Sequence, residues 1–298
     1  MIDPATSRPV TVWPLGTYLN AAGTAGATAV VRAVCSLLER YWRPERNAYH
    51  VSPHGRGSWF YDDNAWIGLF LARHSSMLGV QAVTPRIRAL WRFAATGWDN
   101  VEGGGIYWQY GAPVMKNLCT NGAFAWMLCH LGELGDGWAV PRAIELFRWC
   151  ERLRDPGDGL WWDHVRVDGH VDKGKWSYNA GIMLAVASAL AHLTGERRWL
   201  AVVRAAAQAT ERFCDEPLAF NRWDRVGHPV WFDVVLIRGL GVYASTSGDW
   251  GVERIMLRLA ERISGDLPWE SVLTHAARIE VAALMEHLRR RSGIGAWL

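Results

Sequence analysis

Lysine is nearly missing from this chain: only Lys116, Lys173 and Lys175 occur among 298 residues, although arginine is plentiful. No basic run exceeds Arg289-Arg290-Arg291, and 32 basic residues against 29 acidic ones leave a formal charge of +3. That even spread excludes the electrostatic footprint of a nucleic-acid binder. Cysteines number five, without a CxxC or Cys/His spacing, which excludes a zinc finger and a disulfide framework and points to buried thiols in a reducing compartment. His50, His54, His164, His170 and His228 fall on the long loops but show no HxxxH spacing with a nearby acid, so no metal site and no cofactor are expected. No apolar run reaches membrane-spanning length and the first residues do not read as a secretion signal. The expectation is therefore a cytoplasmic monomer with no membrane span.

Strand-like alternation is also missing, whereas apolar segments of helical length recur. They cover Ala25–Tyr41, Asp63–Leu78, Thr84–Trp98, Thr120–Leu134, Val140–Arg154, Tyr178–Leu193, Arg198–Phe213, Trp231–Tyr243, Val252–Ile263 and Val272–Leu288. Amphipathic segments such as Arg142–Glu151 take turns with segments apolar nearly all round, such as Asn179–Leu190, so outer and inner helices alternate. The inner ones open in register at Tyr61-Asp-Asp-Asn64, Leu118-Cys-Thr-Asn121 and Trp176-Ser-Tyr-Asn179, spaced 57 and 58 residues apart, with a weaker opening at Trp231-Phe-Asp233. A two-helix repeat of that period predicts an all-α helical toroid. It would form one domain over residues 1–298, with 1–23, which holds Pro4, Pro9 and Pro14, an irregular N-terminal segment.

Links from inner to outer helices are short, but those from outer to inner helices are long: 43–62, 99–119, 155–177 and 214–230. Long loops of this kind are more often functional than idle. They concentrate Gly, Asp and aromatic residues, as in Trp98-Asp-Asn-Val-Glu-Gly-Gly-Gly-Ile-Tyr-Trp108 and Asp158-Gly-Leu-Trp-Trp-Asp163, and they hold all three lysines. Nineteen tryptophans exceed what a core of this size requires. Rings such as Trp59, Trp108, Trp161, Trp162 and Trp176 could stack on sugar faces or pack in the core. A lysine is a compact charge suited to a sugar hydroxyl or a carboxylate in a tight site, which makes Lys116, Lys173 and Lys175 candidates.

Asp62 and Asp63 open the first inner helix between Ser58-Trp-Phe-Tyr61 and Trp66. Adjacent carboxyls can stand at the roughly 5–5.5 Å separation of a retaining glycosidase, and a helix N-terminus among aromatic rings can hold one ionised and the other protonated. The competing reading is that one of them caps the helix. Asn64, Asn121 and Asn179, at equivalent turns, could ring the mouth and bind a polar ligand, or could serve the helix starts structurally.

The run Tyr61-Asp-Asp-Asn-Ala-Trp-Ile-Gly, with Gly97-Trp-Asp, Gly103-Gly-Gly-Ile-Tyr-Trp, Lys116-Asn117, Asn121, Val167-Asp-Gly and Lys175-Trp-Ser-Tyr-Asn-Ala-Gly, resembles glycoside hydrolase family 76 over roughly 41–239. The resemblance implies an (α/α)6 toroid and an endo-acting, retaining α-1,6-mannanase; the ten helical segments, five hairpins rather than six, depart from that pattern and point to an incomplete toroid or a reduced last hairpin. Asp62 would be the nucleophile and Asp63 the acid/base. It further implies that Asp168, Lys116, Asn117, Asn121, Trp176, Tyr178 and Asn179 line the groove for an α-mannan-like oligo- or polysaccharide, joined by Asn64, Trp66, Trp108 and Lys173 from the reading above. Asp233 stands where the family pattern has lysine, which could alter the field in the cleft. Two other readings stay open: another toroid carbohydrate enzyme, an epimerase or uronide hydrolase, and a glycan-binding toroid without turnover.

Overall fold

A computed structural model describes residues 1–3, 7–55, 57–215, 229–265 and 271–297. The predicted alternation is visible in how each helix is buried. Helix α6 (Leu118–Glu133) is buried without a break from Leu118 to Leu131, and α8 (Ser177–Thr194) from Ser177 to Ala191. By contrast α2 (Thr28–Leu38) buries only Val31, Val34 and Leu38, one stripe at helical spacing. Six inner helices are described: α1 (Val12–Thr24), α3 (Tyr61–Arg73), α6, α8, α10 (Pro229–Ser247) and α12 (Val272–Arg289). Outside them lie α2, the one-turn α4 (Ser75–Leu78), α5 (Val80–Ala95), α7 (Ala139–Glu151), α9 (Arg198–Ala209) and α11 (Glu253–Ser264).

Consecutive inner helices pack on one another, and α12 packs back on α1, so the inner ring closes. Among the described residues α12 is followed by a single 3-10 turn at Ile294–Ala296. Within the segment expected to be irregular, residues 12–23 are helical: α1 occupies Val12–Thr24 and buries Leu15 and Leu19 completely. Pro14 falls in the first turn of α1, where helix N–H groups have no intrahelical acceptor and proline removes nothing. Supplying this helix turns the ten segments of the sequence into a six-membered inner ring.

Two features hold the ring together. Helices α8 and α10 meet through facing glycines, and a Cβ on Gly239 would collide with the carbonyl oxygen of Gly181. Across the seam, the fully buried Glu280 of α12 accepts from Asn20 Nδ2 of α1 (2.9 Å) and Arg238 Nε of α10 (2.9 Å), and pairs with Arg73 of α3 (3.6 Å). Burial, with the nearby Arg238 charge, lowers the Arg73 guanidinium to about 9. Removing one partner from such a buried cluster strands a charge, which makes it a strong constraint on how the helices associate.

The long loops carry short strands that period-two patterning could not expose. Strands β1 (Ile2–Asp3) and β2 (Arg8–Pro9) pair, as do β3 (Trp42–Arg43) and β4 (Ala48–Tyr49). Strands β5 (Met115–Asn117), β6 (His164–Arg166) and β7 (Val171–Asp172) form one antiparallel sheet at the N-terminal ends of the inner helices.

Candidate active site

A cavity of about 760 Å³ opens at the inner-helix N-termini. Asp62 and Asp63 line it from the first turn of α3, with Trp66 one turn further along. Neither aspartate caps the helix, since the N-cap is Phe60, in extended conformation and without a side-chain cap bond. Asp62 Oδ1 accepts from the Asp63 backbone N–H (2.9 Å) and Oδ2 from Trp108 Nε1 (2.8 Å). Among the described residues no hydrogen bond engages the Asp63 carboxyl. Burial raises Asp62 to about 6, although its two N–H donors pull the other way. Asp63 is raised well above the usual carboxylate range by burial and then by the charge of Asp62. The two neighbours are thus pushed apart in protonation, with Asp62 the better carboxylate and Asp63 the better acid.

The opposing wall comes from the small sheet. Its register places Asn117 beside His164 and His164 beside Asp172, so all three share one face and all three line the cavity. Asn117 also caps α6, its Oδ1 accepting from Thr120 N at 3.2 Å. Just before β6, Asp163 lines the cavity. Its Oδ2 meets His164 Nδ1 at 2.9 Å, and its Oδ1 accepts from Tyr178 Oη and Asn179 Nδ2, each at 3.4 Å. Its hydrogen bond to the Asp163 carboxylate raises the His164 imidazole above its ordinary value. Aromatic rings supply the remaining surface: Trp108 and Phe60, Trp176 and Tyr178, and an edge-to-face series in which Trp231 meets both Trp13 (5.2 Å) and Trp66 (4.9 Å). Trp66 Nε1 donates to Cys119 Sγ at 3.3 Å, and burial keeps the Cys119 thiol protonated.

Of the site residues expected from sequence, the structure brings Asp62, Asp63, Trp66, Trp108, Asn117, Trp176 and Tyr178 together at this cavity. It places the others elsewhere. Asn64 and Asn121 are fully buried and perform one structural task twice. Asn64 clasps the backbone N–H and C=O of Tyr49 (2.7 and 3.1 Å) and the Phe60 carbonyl (2.8 Å). Asn121 does the same for Ile106 (2.7 and 3.0 Å) and Asn117 (2.9 Å). Their recurrence thus encodes how each long loop is fastened to its helix. Asn179 is buried behind Asp163 and touches the site through that carboxylate.

Lys116 is a loop clamp. Its buried Nζ donates to Asp99 Oδ1 (2.5 Å), to the carbonyls of Val101 and Gly104 (2.8 Å each) and, at 3.3 Å, to that of Asp99. Lys175 joins Asp155 (2.6 Å) and Asp158 (2.7 Å), whereas Lys173 is exposed over the Trp162 ring, 5.1 Å from its centroid. Asp168 sits in the exposed turn between β6 and β7, accepting from His170 N at 3.1 Å and pairing with Arg166. Asp233 is buried against Arg262 of α11 and does not line the cavity. Sequence reasoning did not identify Asp163, Asp172, Trp13 or Cys119, nor assign His164 to the site. For Asp163 a signal existed, since it closes the motif Asp158-Gly-Leu-Trp-Trp-Asp163. Among the described residues, no group of three or more His, Cys, Asp or Glu is placed to hold a metal.

The family model described as glycosyl hydrolase family 76 matches residues 5–233. A mannan endo-1,6-α-mannosidase of Candida glabrata is 26% identical over 146 residues, a stretch that spans 45% of this chain and 33%, about a third, of that relative's length. A family 76 glycoside hydrolase from a bovine Bacteroides thetaiotaomicron strain superposes with a TM-score of 0.80 at 24% identity, covering 95% of this chain and 70% of that one. The α-1,6-mannanase of Salegentibacter sp. superposes at 0.79 with 22% identity, covering 96% and 92%. An inactive variant of the latter, with two consecutive aspartates changed to asparagine, has been solved in complex with α-1,6-mannotriose. It superposes at 0.74 with 21% identity, covering 92% and 88%.

Proposed function

Because the chain belongs to glycosyl hydrolase family 76, we propose that it is a retaining glycosidase that cleaves α-1,6-linked mannose chains, with Asp62 as nucleophile and Asp63 as acid/base. The observation that carries this reading is the unequal treatment of two adjacent carboxyls on one cavity wall. Asp62 is held by two N–H donors and Asp63 by none of the described residues. Asp62 attacks the anomeric carbon and forms a glycosyl ester. Asp63 gives its proton to the departing glycosidic oxygen, then takes one from the water that hydrolyses the ester, so configuration is kept overall. Trp108, Trp13 and Trp176, each half-buried at the cavity wall, offer flat apolar surface to the sugar. Asn117, Asp163, His164 and Asp172 offer the hydrogen-bonding groups that fix its hydroxyls.

The relatives named as α-1,6-mannanases support the linkage, and the inactive double-asparagine variant of one of them supports an adjacent aspartate pair. Asp233 gives no ground for a silent binder, because its charge is met by Arg262 outside the cavity. The test is hydrolysis of α-1,6-mannotetraose followed by chromatography, with NMR of the first-formed anomer. Activity with an α-configured product is expected, falling at least about a thousandfold in both Asp62→Asn and Asp63→Asn. A β-configured first product, or full activity in either variant, refutes the assignment.

A further inference from the structure

The end of the ring remote from the cavity holds an exposed aromatic surface. Trp138 follows Gly135-Asp136-Gly137, the short link between α6 and α7, and therefore lies at the opposite end of α6 from Asn117 and the cavity. Its side chain is 42% exposed, and among the described residues the other large apolar side chains exposed to that degree are aliphatic. The ring packs against Trp91 of α5, with centroids 6.1 Å apart and planes tilted by 39°. One turn earlier on α5, Arg88 grips Asp136, two residues before Trp138, through Nε at 2.7 Å and again through its second nitrogen. The link is thus tied to α5 by a ring contact and a two-pronged ion pair, which fixes the indole in place before any ligand arrives.

We propose that Trp138 and Trp91, with Asp136 and Arg88 beside them, form a second carbohydrate site that takes a neutral hexopyranose of the polymeric substrate. That the polymer is a mannan rests on the function proposed above. A pyranose lays its C–H face on the indole, whose π face is electron-rich. Its hydroxyls can then reach the free lone pairs of Asp136 and the remaining N–H groups of Arg88, whose side chain is 47% exposed. The carboxylate and guanidinium cancel each other, so nothing in the set favours a charged sugar. A chain seated in the cavity leaves by the other face, so this site holds a different stretch or strand of the same material and keeps the enzyme on it.

The test compares wild type with Trp138→Ala and Asp136→Asn on soluble α-1,6-mannotetraose and on insoluble α-mannan, with electrophoretic retardation in gels containing soluble α-1,6-mannan. Unchanged kcat/KM on the tetrasaccharide, together with a rate on the insoluble polymer at least threefold lower and lost retardation in Trp138→Ala, is the expected result. Equal rates on both substrates and equal retardation overturn the proposal. If wild type hydrolyses neither substrate, the mannanase reading fails, yet retardation of wild type and not of Trp138→Ala still supports a second site. Absence of retardation in both proteins refutes it. Because Trp138 is exposed, its truncation leaves the core intact, and an unchanged Tm verifies this.

Discussion

Replacing Asp62 by asparagine should make the protein more stable at alkaline pH while destroying activity. Burial raises this carboxyl from 3.8 to about 6, and every tenfold change in proton affinity is worth about 1.4 kcal/mol. The ionised form therefore costs the fold about 2–3 kcal/mol above pH 6, part of the gross value being screened by solvent in the cavity. The sign follows from the direction in which burial moves the group. A carboxyl raised in the folded state favours folding most below its unfolded value, and that contribution disappears as pH rises through about 6. Asparagine offers one acceptor oxygen where the carboxylate offered two, so either Trp108 Nε1 or the Asp63 N–H loses its partner, at about 1 kcal/mol. The net gain at pH 8 is about 1–2 kcal/mol, or a Tm higher by about 2–3 °C in a chain of this size. Thermal unfolding followed by circular dichroism at pH 8, 6 and 4.5 reads it, and the advantage should shrink as pH falls and turn into a deficit of about 1 kcal/mol towards pH 4. A variant no more stable than wild type at pH 8, or a difference that ignores pH, would refute both the burial argument and the protonation roles built on it.

Other perturbations separate the site from its scaffold. In wild type, kcat/KM should fall on the acid side with an apparent pKa of about 6 that belongs to the coupled pair, and fall again at higher pH as Asp63 ionises. Trp108→Phe removes a donor to the ionised nucleophile, worth about 1.5–3 kcal/mol. It should move that acid limb upward by about one to two pH units, read from initial rates between pH 4 and 8, and an unmoved limb would count against the bond. Lys116→Met strands the buried acceptors of the loop at 99–104 and should cost about 2–4 kcal/mol in urea unfolding with KM unchanged at 25 °C. A raised KM with unchanged stability would return this lysine to the substrate site. Gly239→Ala forces α8 and α10 apart and should cost at least about 3 kcal/mol, whereas a wild-type Tm would show that the helices can slide.

What the sequence disclosed and what it hid divide along a physical line. Apolar periodicity over a dozen residues integrates many weak preferences, which is why ten helices and their inner and outer character were readable. Helix α1 escaped because Pro14 looks like a breaker until its place in the first turn is known. The aspartate doublet was readable because two neighbours on one helix turn need no tertiary information to be near each other. Asp163 and Asp172 were not, since their direction is set by strands of two or three residues whose pairing joins loops distant in the chain. Lysine scarcity marked the correct loops and misjudged the task, because a buried ammonium that binds carbonyls has the same sequence signature as one that binds a sugar. Repetition of asparagine was equally ambiguous until Asn64 and Asn121 were seen making matching backbone bonds.

The seam at Glu280 ties closure of the ring to a contact between its first and last described inner helices. Asn20 and Glu280 lie 260 positions apart, so the bond that joins α1 to α12 must wait until a ribosome has delivered every helix between them. Trp13 reaches the cavity from α1 and Trp231 from α10, so a growing chain carries both aspartates long before it has a room to put them in. Until both walls stand, the two carboxyls have no enclosed cavity in which to act.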